Sequence, residues 1–134
     1  MHASGGEEML RAVAQMVPGR PLILGGTVLT SMGGNVQKEV LRLAKLAQQC
    51  GLSGVVASPQ EIGLIRKAGG EKFLIVIPGI RPSWAETGDQ KRVMTPTEAV
   101  AASADYIIVG RLIIAAPYPI TADLRITTEM TAGN

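Results

Sequence analysis

Thr95-Pro96-Thr97-Glu98-Ala99-Val100-Ala101-Ala102-Ser103-Ala104-Asp105-Tyr106-Ile107-Ile108-Val109-Gly110-Arg111 holds a helix start, a strand and a candidate ligand-binding turn in one short stretch. Thr95 followed three residues later by Glu98 is a capping-box signature, in which hydroxyl and carboxylate each accept an N–H that the first helical turn leaves unpaired. Pro96 takes the first helical position, where its missing N–H costs nothing and its fixed φ is already helical. Residues 106–109 are short, apolar and β-branched, and Gly110 closes them, so they read as a strand.

The same alternation extends outward in both directions. Apolar runs at 22–29, 54–57 and 73–77 match the run at 106–109, and none shows strict apolar/polar alternation, as expected of parallel strands covered on both faces. Ser4 with Glu7 and Ser58 with Glu61 repeat the capping signature, with Pro59 again at the first helical position. Val36, Val40, Leu43, Ala44, Ala47 and Cys50 trace one face at helical spacing, and Gly51 follows as a permissive end. A leading helix is expected over 7–17 and a last one after Pro119. No hairpin signal separates the strands, so the order is one helix and then four strand-helix units. That order predicts an α/β fold with a parallel sheet and right-handed crossovers.

Size and composition set the limits. With 134 residues and 46% hydrophobic content, the chain reads as one domain over 1–134. It is too short for a whole barrel of about 250 residues. The formal charge of +2 comes from scattered residues, which argues against electrostatic binding to nucleic acid or membrane. A single cysteine suits a reducing, cytoplasmic compartment. No leader pattern opens the sequence, and no apolar run approaches the ~18 residues of a membrane span. Cys50, on an apolar helix face, reads as packing, and His2 as a tail residue with no metal-ligand spacing around it.

In parallel α/β folds ligands gather beyond the carboxyl ends of the strands. Four places qualify: Thr30-Ser31, Ser58, the Pro78-Gly79-Ile80-Arg81-Pro82 loop with Gly88-Asp89-Gln90, and Gly110-Arg111. Gly110 lets backbone N–H groups approach an anion, and Arg111 beside it offers a planar fork of donors. Arg81 adds a second positive group from the preceding strand's loop. Together they suit a phosphate, although a Gly-Arg pair alone is equally a turn with a solvated charge. The stretch 78–94 is longer than an ordinary connection and is a candidate functional loop. Within it Trp84 either covers a ligand or packs on the surface, and Asp89 with Lys91 reads as an exposed ion pair. Thr30 and Ser31 serve equally as ligand contacts or as a turn or cap. The sequence has no nucleotide P-loop, G-x-G-x-x-G motif or nucleophile elbow.

Six segments, Thr27-Val-Leu-Thr-Ser-Met32, Cys50-Gly-Leu-Ser-Gly-Val-Val56, Pro78-Gly-Ile-Arg-Pro82, Gly88-Asp-Gln90, Arg92-Val-Met-Thr-Pro96 and Val109-Gly-Arg111, resemble in order and spacing the orotidine 5′-phosphate decarboxylase family. His2-Ala-Ser-Gly-Gly6 is similar to the end of that family's fourth barrel strand, so the resemblance covers its C-terminal half. It implies a parallel (βα)4 half of a TIM (β/α)8 barrel, preceded by one helix. By the same resemblance Arg81, Gln90, Gly110 and Arg111 match positions that hold the substrate's phosphate, and Thr30 one that contacts the ligand near the pyrimidine. The ligand implied is a nucleotide monophosphate or free phosphate, with no cofactor and no metal.

The family's chemistry, orotidine monophosphate to uridine monophosphate in pyrimidine biosynthesis, depends on an Asp-x-Lys-x-x-Asp array on an earlier strand. This chain does not contain it: Asp89-Gln90-Lys91 has Met94 where the second aspartate belongs. No catalytic residue is therefore assigned, and the chain is expected not to decarboxylate alone. It also departs from the usual family pattern at Gly25-Gly26, Ile77 and Leu112. Other readings are a self-associating scaffold without a ligand and a different phosphosugar enzyme of related fold. Four parallel strands leave free edges and an apolar inner face, so a homodimer or pairing with a complementing N-terminal half-barrel is expected.

Overall fold

β3 (Leu74–Pro78) anchors the sheet, because Ile75 and Ile77 point into the helical layer with no solvent exposure. The computed structural model describes residues 1–16, 19, 21–28, 36–85 and 93–133. β1 (Leu24–Gly26), β2 (Gly54–Val56), β3 and β4 (Tyr106–Ile108) lie in the order β1-β2-β3-β4, every pair parallel. Six α-helices accompany them among the described residues: α1 (Glu7–Gln15), α2 (Val36–Gln49), α3 (Ile62–Gly69), α4 (Pro96–Ala101), α5 (Arg111–Ile114) and α6 (Pro119–Ala132). The architecture is thus a parallel (βα)4 half-barrel preceded by a helix.

The core forms where α2 and α3 cover one face of the sheet: Val40, Leu43 and Ala47 of α2 and Ile62 and Ile65 of α3 meet Val55, Ile75 and Ile77. α2 ends as its sequence implies. Gly51 takes φ +87°, and Leu52 N–H donates to Ala47 O, closing the last turn. Cys50 is buried at 5% exposure, consistent with packing. The capping box at Thr95 is fully formed, Glu98 N–H donating to Thr95 Oγ1 and Thr95 N–H to Glu98 Oε2.

Several expectations are corrected. The Ser4/Glu7 box does not form: residues Ala3–Gly5 make a 3-10 turn that buries Ala3, and Gly6 at φ +95° caps α1 instead. Ser58 is the N-cap of a short 3-10 turn (Pro59–Glu61), but its side chain makes no capping bond. The run at 22–29 narrows to three strand residues, with ladder bonds reaching Ile23 O and Thr27 N–H and Leu22 left exposed before the ladder begins. His2 is not a free tail, since its backbone bridges Gly26 in parallel and Gly26 N–H donates to Met1 O. Gly25 is where α2 and the N-terminal segment close on the sheet. A Cβ there would stand 3.2 Å from Leu52 Cδ2 and 3.3 Å from Ala47 Cβ.

Burial on both faces holds for β3 and fails for β4. Tyr106 and Ile108 are about half exposed, while Ile107 between them packs against the core. Paired residues in a ladder share a face. The uncovered side of β4 therefore continues the side of β3 that carries Val76 and Pro78.

Candidate functional site

The register Pro78↔Ile108 places the chain after β3 beside the chain after β4. Three residues beyond each partner stand Arg81 and Arg111, so both arginines leave the same, carboxyl end of the sheet from adjacent strands. Their approaches differ. After β3, Gly79 turns the chain at φ +73°, a conformation that suits glycine. Ile80 then bridges Met94 and is buried, and Arg81 N–H donates to Met94 O at 3.0 Å. Arg81 is thereby fixed by its backbone. Its side chain is half-buried, and its Nε is buried with no hydrogen-bond partner among the described residues.

After β4, Gly110 is exposed and caps α5, which the sequence reading did not anticipate. A Cβ at Gly110 would meet nothing within 4 Å, so the space beside this peptide is open. Arg111 opens α5 and is exposed, and Leu112 behind it is half-buried. A buried donor without an acceptor is costly to leave unmade. An exposed guanidinium at the neighbouring loop adds positive charge on the same edge, which is an arrangement able to hold an anion.

Thr30 and Gln90 lie outside the described residues, as do Ser31, Gly88, Asp89 and Lys91. Thr27, from the same motif as Thr30, is structural: its Oγ1 donates to Val56 O at 2.9 Å and it is buried between β1 and β2. Trp84 packs on the surface, its ring 4.2 Å from the guanidinium carbon of Arg125 on α6. Among the described residues no group of three His, Cys, Asp or Glu side chains could hold a metal ion, and no helix is long and apolar enough to cross a membrane.

Sequence reading did not single out Ser83, Arg125 and Glu129. Both Glu129 carboxylate oxygens accept from Ser83 N–H, at 3.3 and 3.2 Å, and Oε1 also accepts from Ser83 Oγ at 3.0 Å. These partners are 46 residues apart and carry no local pattern.

Residues 1–126 match the family described as Orotidine 5'-phosphate decarboxylase / HUMPS family. The orotidine 5'-phosphate decarboxylase of Heliobacterium modesticaldum is 47% identical over 152 positions, which cover 99% of this chain and 63% of that protein. That of Syntrophotalea carbinolica is 48% identical, covering 99% and 62%. The solved orotidine 5'-phosphate decarboxylase of Lactobacillus acidophilus superposes with a TM-score of 0.78 at 33% identity, covering 98% of this chain and 62% of that one. The chain thus spans a little over three fifths of the length of these relatives. Because 152 aligned positions exceed the 134 residues available, at least 18 residues of the Heliobacterium protein have no counterpart within the matched region.

Proposed function

Since the chain belongs to the orotidine 5'-phosphate decarboxylase / HUMPS family, we propose that it is the phosphate-binding half of a decarboxylase acting on orotidine monophosphate. Arg81, Gln90, Gly110 and Arg111 hold the phosphate, and Thr30 meets the ligand near the pyrimidine. The observation that carries this reading is the parallel register that sends Arg81 and Gly110-Arg111 off one end of neighbouring strands, with the Arg81 Nε unpaired. A phosphate oxygen supplies the acceptor that the described residues do not.

Binding is not turnover. Phosphate contacts remote from the reacting carbon help the reaction only when other groups stabilise the carbanion and deliver a proton. In the family those groups belong to the Asp-x-Lys-x-x-Asp array, which is absent from these 134 residues. By itself the chain binds a nucleotide monophosphate and releases it unchanged. Activity returns when a half-barrel bearing that array covers the open face.

The half-exposed Tyr106 and Ile108 at the β4 edge favour such an association, with either a complementing N-terminal half or a second copy of this chain. Calorimetric titration with uridine monophosphate tests the binding site: saturable binding weakened by Arg111→Ala is expected, and equal affinity for both proteins overturns the reading. Light scattering tests association. A dimer that persists in high salt is expected, since apolar area dominates the contact, and a compact 14.0 kDa monomer at micromolar concentration removes self-association.

A further inference from the structure

One turn of α6 holds the outgoing limb of the loop that begins with Arg81 and the start of the helix that follows it. On the outgoing limb, the Glu129 carboxylate accepts from the N–H and hydroxyl of Ser83, and Arg125, four residues earlier on the helix, covers the Trp84 ring. Where the loop has returned into the first turn of α4, Thr97 Oγ1 donates to Glu129 O at 2.7 Å. α6 closes on the start of α4 so tightly that a Cβ at Gly133 would stand 2.5 Å from Thr97 O. Between the limbs, Arg81 N–H donates to Met94 O. One helix therefore holds the loop at Ser83-Trp84 and the start of α4, into which the loop leads, at Thr97.

These contacts do little for the core. Ser83, Trp84 and Arg125 are exposed, and Glu129 is only half-buried. What they do is remove conformational freedom from the segment around Ser83 and Trp84, and a ligand that docks on a pre-ordered segment does not have to order it.

We propose that Glu129 and Arg125 are positioning residues, fixing through Ser83 and Trp84 where the Arg81 guanidinium stands for an anionic ligand. The proposal rests on the reading of Arg81 as a phosphate contact. It predicts that α6 variants weaken nucleotide binding although neither side chain touches the nucleotide.

Trp84 is the only tryptophan, so its emission and anisotropy report on this loop alone. The experiment compares the intact chain with Glu129→Gln, Arg125→Met, Arg81→Ala and Arg111→Ala, measuring Trp84 anisotropy, Tm and the Kd for uridine monophosphate. The expected result is a lower Trp84 anisotropy and a three- to tenfold higher Kd in Glu129→Gln and Arg125→Met, with Tm within about 3 °C of the parent. Arg125→Lys, which keeps the cation over the ring, should restore most of both. Arg111→Ala should raise the Kd without changing the anisotropy.

Unchanged affinity in both α6 variants, while Arg81→Ala and Arg111→Ala weaken binding, overturns the positioning role and leaves the phosphate site standing. No binding by the parent, or no effect of either arginine substitution, overturns both. If Glu129→Gln does not fold, Arg125→Met decides alone, because Arg125 contacts an exposed indole.

Discussion

The two ends of the sheet treat their arginines in opposite ways. At the amino end, Arg66 in the last turn of α3 donates to the carbonyls of Gly70, Phe73 and Ser103 at 2.7–2.8 Å and pairs with the Asp105 carboxylate at 2.7 Å. Asp105 also accepts from Ile75 N–H, so a single ion pair fastens the starts of β3 and β4 to each other and to α3. At the carboxyl end, neither the Arg81 nor the Arg111 guanidinium has a protein partner among the described residues. Parallel strands send their loops in two directions. Here the Arg66 Nη groups of one set are spent on internal bonds, its Nε alone being buried without a partner among the described residues, and the other set keeps whole guanidinium groups in reserve. This is the division of labour expected between the stability face and the ligand face of a barrel.

Substitutions at the two ends should therefore fail in different currencies. Arg66→Met removes a largely buried guanidinium and leaves the more exposed Asp105 and several carbonyls without their donor. It should cost about 3 kcal/mol and lower Tm by roughly 10 °C, with any remaining ligand affinity unaltered at temperatures where the protein is folded. Calorimetric scanning measures it, and a change under 2 °C breaks the comparison. Arg111→Ala should do the reverse: Tm stays within about 2 °C, while the Kd for uridine monophosphate rises on the order of tenfold or more, as for loss of a charge-assisted bond.

Arg81→Met sharpens the contrast further, because it removes a buried donor that has no acceptor among the described residues. Stability in the absence of ligand should hold within about 0.5 kcal/mol or rise slightly in urea titration. A clear loss would mean that the Arg81 side chain supports the fold.

The smallest effect belongs to the exposed Glu39–Arg42 pair near the start of α2. The hydrogen bond from Arg42 holds the Glu39 carboxyl below its ordinary range. Whatever this pair adds to stability is present above the ordinary carboxylate pKa and fades as pH falls through the lowered folded value. NMR titration should find the depressed Glu39 midpoint, and Glu39→Gln should barely move Tm at neutral pH.

Local chemistry was legible and distant partnership was not. Thr95, Pro96 and Glu98 announced α4 because a capping box is complete within four residues. β3 and α2 followed from apolar spacing that needs no knowledge of neighbours. Ser4 and Glu7 carry the same capping pattern as Thr95 and Glu98, yet burial of Ala3 and the positive φ of Gly6 override it. α5 was missed because four residues without a side-chain cap leave no periodicity to read. In the candidate site, Arg81, Gly110 and Arg111 stood out by following strands. The Arg66–Asp105 clamp, across 39 residues, and the Glu129–Ser83 contact had no pattern to find.

The strand order has a consequence for how this molecule comes apart. Each strand pairs with the next along the chain, and among the described residues the longest side-chain hydrogen bond spans 46 positions of 134. No described strand pairing or side-chain hydrogen bond ties the first unit to the last, so the chain behaves like a short solenoid whose units depend on their neighbours. Such an array loosens progressively from its weakest end. Amide exchange should be slowest in β2 and β3, which have partners on both sides, and fastest in β4 and α6, where one neighbour is missing.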